Sequence, residues 1–184
     1  RKEKITQPLI DSLLRFVGFK KVRLDNRKLV KEMPQVMLDF NAIAQGYTVD
    51  VLSSFLESKG ISNYLVEVGG ELRAKGKKED DSFWIVGIEQ PEENNADGVS
   101  LNNILIKIKE KSLATSGNYK KFYIEDGKKY AHIINPFTGY PAMHNLLSAT
   151  VIAGNCMTAD AYATAFMVMG LDKAKQFLTE NKNL

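Results

Sequence analysis

His132-Ile133-Ile134-Asn135-Pro136-Phe137-Thr138-Gly139-Tyr140-Pro141 is the stretch on which the reading of this chain turns. An apolar, strand-like run reaches one of only two histidines and then enters a loop built from Asn-Pro and Thr-Gly. Proline fixes φ and glycine tolerates unusual φ, so such a loop is rigid and can aim backbone N–H groups at a ligand. Ser116-Gly117-Asn118-Tyr119 lies shortly before it, and Ala159-Asp160-Ala161-Tyr162-Ala163-Thr164 shortly after. Together these segments suggest a phosphate-handling site with a hard metal ion.

Outward from this stretch the second half reads as mostly β. Ile104, Ile106 and Ile108 alternate with Leu105 and Lys107, as in a half-buried strand. Phe122–Glu125 and Lys129–Ile133 flank Asp126-Gly127, a hairpin signal. Leu146–Ala153 is a further strand. Thr158–Met169, dense in Ala and Met, reads as a buried helix, and Leu171, Ala174, Phe177 and Leu178 mark a last amphipathic one.

The first half mixes both types. Leu9, Ile10, Leu13, Leu14 and Val17 have helical spacing over Gln7–Val17, with Gly18 as a stop. Lys21–Leu24 and Lys28–Lys31 read as strands around Asp25-Asn26. Ala42–Lys59 reads as a helix ended by Gly60, with Val51, Leu52, Phe55 and Leu56 as its apolar face. Tyr64–Val68 reads as a strand that Gly69-Gly70 interrupts and Leu72–Ala74 continues. Phe83–Ile88 is another strand, and Pro91–Ser100 a polar surface loop. The expectation is one α/β (α+β) domain over residues 1–184.

Composition excludes several classes. Hydrophobic content of 44%, charged content of 26% and a net charge of +3 are those of a globular domain. The lysines are scattered, which argues against nucleic acid as a partner. No apolar run is long enough to span a bilayer. A single cysteine, Cys156, rules out an internal disulfide and a multi-cysteine zinc site. No Walker-type loop or dinucleotide fingerprint is present. No signal peptide is legible, and the start at Arg1 reads as internal to a longer protein.

Each candidate residue has a functional and a structural reading. Asp160 and Thr164 are four apart on a helix, so they share a face, and both are hard oxygen ligands suited to Mg²⁺ or Ca²⁺. By spacing alone the helix-capping reading leads for this pair. His132 suits a general base, and equally a histidine satisfied within the sheet. Gly69-Gly70 suits close approach to a phosphate, or a bulge. Asp39, at an expected strand-to-helix junction, suits a ligand contact or a helix N-terminus. Tyr119 and Tyr140 suit stacking on a heterocycle or ordinary packing. Met157, Met167 and Met169 read as core filler.

Taken in order, five segments resemble the FAD:protein FMN transferases, the ApbE-like flavin transferases. They are Leu38-Asp39-Phe40-Asn41-Ala42-Ile43-Ala44-Gln45-Gly46-Tyr47 with Asp50; Val68-Gly69-Gly70-Glu71; Thr115-Ser116-Gly117-Asn118-Tyr119; His132 to Gly139; and Ala159 to Ala165. The resemblance runs from about Val22 to the end. It implies a T-fold-like domain with a mixed, mostly antiparallel sheet packed with helices, lacking an N-terminal segment that helps form the FAD pocket. It implies FAD as substrate, Mg²⁺ as cofactor, and transfer of FMN to a Thr or Ser hydroxyl of a partner protein with release of AMP. The alternatives are a metal-dependent FAD pyrophosphatase and a non-catalytic flavin-binding protein.

The resemblance also implies roles. Asp160, Thr164 and the carbonyl of Ala42 match metal-ligand positions, with Ala163 a further candidate. Asp39, Gln45 and Ile134 match FAD contacts, and Ser116, Gly117, Thr138 and Gly139 match the pocket lining. His132 matches the base. Gln45 stands where many members carry a charged residue. Glu71 stands where an acidic residue is common, and it is left out of the expected site. Members are typically exported, often as periplasmic lipoproteins, so any membrane link would be a lipid anchor upstream of this chain.

Overall fold

The computed structural model describes residues 5–89, 103–118, 122–125, 128–131, 133–142, 144 and 146–182, with backbone alone at 122–125 and 128–131. The chain opens with helix α1 (Gln7–Leu14), which carries Pro8 in its first turn, where a missing N–H costs nothing. Strands β1 (Val22–Asp25) and β2 (Lys28–Lys31) pair through Asn26 and Arg27, both at positive φ, as a two-residue hairpin loop of this hand requires. Residues 36–40 are irregular, so no strand precedes Asp39, contrary to expectation. Helix α2 (Ala44–Ser58) follows.

Strands β3 (Tyr64–Val68) and β4 (Glu71–Lys75) pair antiparallel from Val68↔Glu71 to Tyr64↔Lys75. Gly69-Gly70 is therefore the two-residue loop of a hairpin, with φ of 67° and 108°, and neither a bulge nor a break in one strand. Strands β5 (Trp84–Glu89) and β6 (Asn103–Ile108) form a third antiparallel pair; the expected Pro91–Ser100 loop lies outside the described residues. Next come β7 (Lys111–Gly117), then β8 (Phe122–Glu125) paired with β9 (Lys128–Ala131), as expected. Asp126-Gly127 lie outside the described residues. Strand β10 (Ser148–Ala153), helix α3 (Cys156–Met169) and helix α4 (Leu171–Glu180) complete the fold.

The central sheet has the order β10-β7-β4-β3 and is antiparallel throughout. Strand β7 was not legible as a strand, yet it lies inside the sheet. Strand alternation sends Leu113 to one face with Leu72 and Ala74, where they pack on Val86 of β5 and Ile108 of β6. Ala114, Val151 and Ala153 face the other way, against Ala159, Ala163, Phe166 and Ala174 of α3 and α4. The small side chains let α3 lie close to the sheet. On that same helical side stand Glu71 and Arg73, which the alternation opposes to Leu72.

Helix α2 is turned differently from the expectation. Its buried residues are Gly46, Val49 and Ser53, while Val51, Leu52 and Phe55 are 41–57% exposed. The tightest contact of this helix is with α3, and only small side chains fit there. Among the described residues no helix is long and apolar enough to cross a membrane.

Candidate functional site

The site is built where α2 crosses α3. Asn155 caps α3, its side-chain oxygen accepting from the Thr158 N–H at 2.8 Å. Asp50, reaching over from α2, accepts from the N–H groups of Cys156 and Met157, each at 2.9 Å. A carboxylate thus already satisfies the positive end of this helix. Asp50 also faces Arg73 Nη1 at 3.5 Å. With both capping roles filled, Asp160 lies beyond the first turn and is not a cap, which overturns the reading that spacing alone favoured.

Asp160 is instead held from α2. The Gly46 N–H donates to its Oδ2 at 3.0 Å, and the carboxylate is 94% buried, at 6% exposure. Gly46 is required sterically. A Cβ there would overlap the Cys156 carbonyl oxygen and stand 2.9 Å from Asp160 Cβ. Thr164 follows one turn later on the same face, half-buried, and no side-chain hydrogen bond within the described residues engages its hydroxyl.

Glu71, left out of the expected site, is a buried carboxylate beside it. It directly follows the Gly69-Gly70 loop and is only 7% exposed, and its Oε2 has no hydrogen-bond partner among the described residues. The loop lies against Gln45 of α2: a Cβ at Gly69 would collide with Gln45 Nε2 and stand 3.7 Å from Glu71 Oε2. Burial foremost, opposed by a hydrogen bond from its own backbone N–H and aided by the charges of Asp160 and Glu67, pushes the Glu71 carboxyl up to about 7. Burial also raises Asp160, against the lowering effect of the Gly46 N–H. The nearby cations are engaged elsewhere, Arg73 with Asp50 and Glu57, and Lys75 with Glu57. Two desolvated carboxylates therefore share one region without a counter-charge. The available signal was the attachment of an acidic residue to a Gly-Gly turn; a lone Glu otherwise reads as solvated.

The remaining expected residues fall into groups. Ala42 is half-buried in the turn that leads into α2. Asp39 is exposed, its Oδ1 accepting from the Asn41 N–H at 2.8 Å; Gln45 is also exposed. Ser116 and Gly117 are half-buried at the end of β7, opposite Ala149 and Ser148. Ile134 is 50% exposed and bridges to Pro141. Asn135 closes the loop by accepting from the Gly139 N–H at 2.8 Å and, through its side chain, from the Phe137 N–H at 2.9 Å. Thr138 and Gly139 lie in that turn, where a Cβ at Gly139 would stand 2.5 Å from Ile10 Cγ2 of α1. Tyr140 donates its hydroxyl to Gln7 Oε1 at 2.8 Å.

Ile133 and Ala142 seat this loop against Met167, seven residues beyond Asp160. That is about two helical turns, or ~10 Å, along nearly the same face of α3. His132 and Tyr119 lie outside the described residues. Ala163 is in the core, so any ligand role would fall to its backbone carbonyl, which interior helix geometry already engages. The second histidine, His144, is structural: its Nδ1 accepts from the Leu146 N–H at 3.2 Å, so Nε2 carries the proton donated to the Met167 carbonyl at 2.5 Å. Cys156 is fully buried, and burial together with neighbouring carboxylates pushes its thiol up to about 12, which leaves it inert.

Among the described residues no three His, Cys, Asp or Glu side chains converge. The donors at hand are two carboxylates with hydroxyl and carbonyl oxygens, and hard donors of this kind suit Mg²⁺ or Ca²⁺. The unpartnered Glu71 Oε2 fits a bound cation.

An antiparallel sheet backed by helices, with hard-oxygen donors gathered at a helix crossing, defines an α+β protein. The family model described as "ApbE family" matches residues 1–184, and the chain belongs to that family. It is 41% identical over 170 residues to the FAD:protein FMN transferase of Haemophilus influenzae, covering 90% of this chain and 48% of that protein. With the enzyme of the same name from Escherichia coli K12 it shares 37% identity over 175 residues, covering 93% and 49%. The flavin transferase ApbE from Vibrio cholerae superposes with a TM-score of 0.86 at 35% identity, covering 99% of this chain and 56% of that one. The apo flavinyl transferase ApbE of Pseudomonas stutzeri gives 0.86 at 32%, covering 98% and 54%. The chain thus spans about half the length of the curated relatives it matches.

Proposed function

We propose that the protein to which this chain belongs is a Mg²⁺-dependent FAD:protein FMN transferase, acting on a Thr or Ser of a partner protein. The observation that carries the proposal is the buried Asp160 carboxylate, held by the Gly46 N–H beside the unpaired Glu71. The names of the relatives support the same reading.

Asp160, Thr164 and the Ala42 carbonyl would hold Mg²⁺, which when bound neutralises charge developing on pyrophosphate oxygens. The exposed Gln45 at the start of α2 and Asp39 in the segment ahead of it bind FAD, and Gly70, where a Cβ would meet nothing within 4 Å, leaves room for close backbone approach. Gln45 offers hydrogen bonds without charge. The acceptor hydroxyl oxygen forms a bond to the FMN-side phosphorus, the phosphorus–oxygen bond to the AMP phosphate breaks, and AMP leaves with the bonding electron pair. The hydroxyl proton passes to a ring nitrogen of His132, a role carried over from the family resemblance. The exported setting is carried over on the same basis.

The test separates chemistry from binding. His132→Ala should still bind FAD, with single-turnover transfer slowed by roughly 10²–10⁴-fold and its titration near neutrality lost. Unchanged rate and pH dependence would end the base assignment. Loss of FAD affinity in step with the rate would make His132 a binding residue.

A further inference from the structure

Glu71 is held in place by the fold, and its own backbone N–H bonds its carboxylate. The β3–β4 register fixes it opposite Val68, on the helical side of the sheet, where Asp160 also lies. It is 93% buried, at 7% exposure, and its Oε2 is without a partner among the described residues. The Gln45 amide nitrogen, a neutral donor from the start of α2, occupies the place that a Cβ at Gly69 would take. Neither Glu71 nor Asp160 forms an ion pair with a described Lys or Arg. Burying a carboxylate without a counter-charge is costly, a single backbone N–H on each offsets only part of that cost, and a second carboxylate alongside adds repulsion. A divalent cation bound between the two would remove both penalties.

We propose that Glu71 is the second carboxylate of the divalent-cation site that Asp160 anchors, an inference that rests on the Mg²⁺-dependent reading above. Glu71 would bind the cation directly or through one of its waters, as hard cations that keep part of their hydration shell allow. Its attachment to the Gly-Gly loop would then couple the cation to the segment expected to meet the FAD phosphates.

The test uses the full-length protein and needs no turnover. Mn²⁺ binding is titrated by electron paramagnetic resonance of the free ion, and Mg²⁺ binding by calorimetry. The wild type is compared with Glu71→Gln and Asp160→Asn, each checked for cooperative unfolding. Glu71→Gln keeps size and hydrogen bonding while removing charge. It should weaken Mn²⁺ and Mg²⁺ by roughly 10–100-fold, as loss of a ligand's supporting group does. Affinity within twofold of wild type, with Asp160→Asn impaired, overturns the role of Glu71 and leaves that of Asp160 standing. Equal cation binding by wild type and Asp160→Asn, including none by either, overturns both. If Glu71→Gln does not fold, Glu71→Asp decides: it keeps the charge and withdraws it by one methylene. Its affinity should fall severalfold, and wild-type affinity would overturn the proposal.

Discussion

Gly46→Ala examines the α2–α3 crossing on which the site depends. Ala is the better helix former by about 1 kcal/mol, so propensity alone makes the variant more stable. The structure reverses that sign. The new methyl would overlap the Cys156 carbonyl oxygen, a backbone atom that cannot rotate away, and would stand 2.9 Å from Asp160 Cβ. Forcing a methyl into a packed contact costs about 1–3 kcal/mol. Moving α2 outward to relieve it stretches the 3.0 Å bond from the Gly46 N–H to a buried carboxylate, a class of bond worth about 1.5–3 kcal/mol. The net loss is about 2–4 kcal/mol, or roughly 5–15 °C in Tm for a domain of this size. Gly154→Ala is the control, since a Cβ there meets nothing within 4 Å and no positive φ is involved; it should be neutral or slightly stabilising. Urea unfolding followed by circular dichroism reads both variants. A Gly46→Ala protein as stable as wild type would refute the close crossing.

Other outcomes follow from the same framework. Asp50→Ala should cost about 2 kcal/mol or more in urea unfolding, because it strips the acceptor from two N–H groups at the start of α3, and Asp50→Asn should cost less because one acceptor remains; equal stability of all three proteins would contradict this. Glu57 accepts from the Tyr64 hydroxyl at 2.6 Å and meets Lys75 Nζ at 3.2 Å, contacts that hold its carboxyl below the usual range. Its contribution is therefore present above the unfolded pKa of about 4.5 and lost as pH falls through the lower folded value. Glu57→Gln should flatten the acid limb of the stability–pH curve by no more than about 1 kcal/mol, given its exposure, and an unchanged acid limb would remove this group from the account.

The existence of α1 and α4 was legible from apolar spacing, although Leu9, Leu13, Leu171 and Leu178 stay exposed and only Ile10 and Ala174 are buried; in β3 and β10 the alternation agrees with the burial. Strand β7 was not, because Ser112 and Ala114 are fully buried without being large or hydrophobic. They sit beneath α3, where only small side chains fit, and a hydrophobic pattern cannot report a position chosen for its size. The same cause hid the orientation of α2, whose inner stripe is Gly46, Val49 and Ser53. At the site, Asp160 was found by resemblance, whereas spacing favoured a cap; the cap positions proved to belong to Asn155 and Asp50. Glu71 was left out because an acidic residue at its position is common but not universal in the family, and its burial arises from tertiary contacts, which no local pattern encodes.

The central claim is tested most directly by weighing an acceptor. Full-length protein is incubated with FAD, Mg²⁺ and a threonine-bearing acceptor protein, the acceptor is analysed by intact mass spectrometry, and the small molecules are separated chromatographically. The acceptor should gain one FMN while one AMP is released per transfer, and Asp160→Ala, folded as judged by circular dichroism, should give neither. Free FMN and AMP with an unmodified acceptor would contradict transfer and identify hydrolysis of FAD instead. A wild-type rate for Asp160→Ala at saturating Mg²⁺ would remove the α2–α3 crossing from the chemistry.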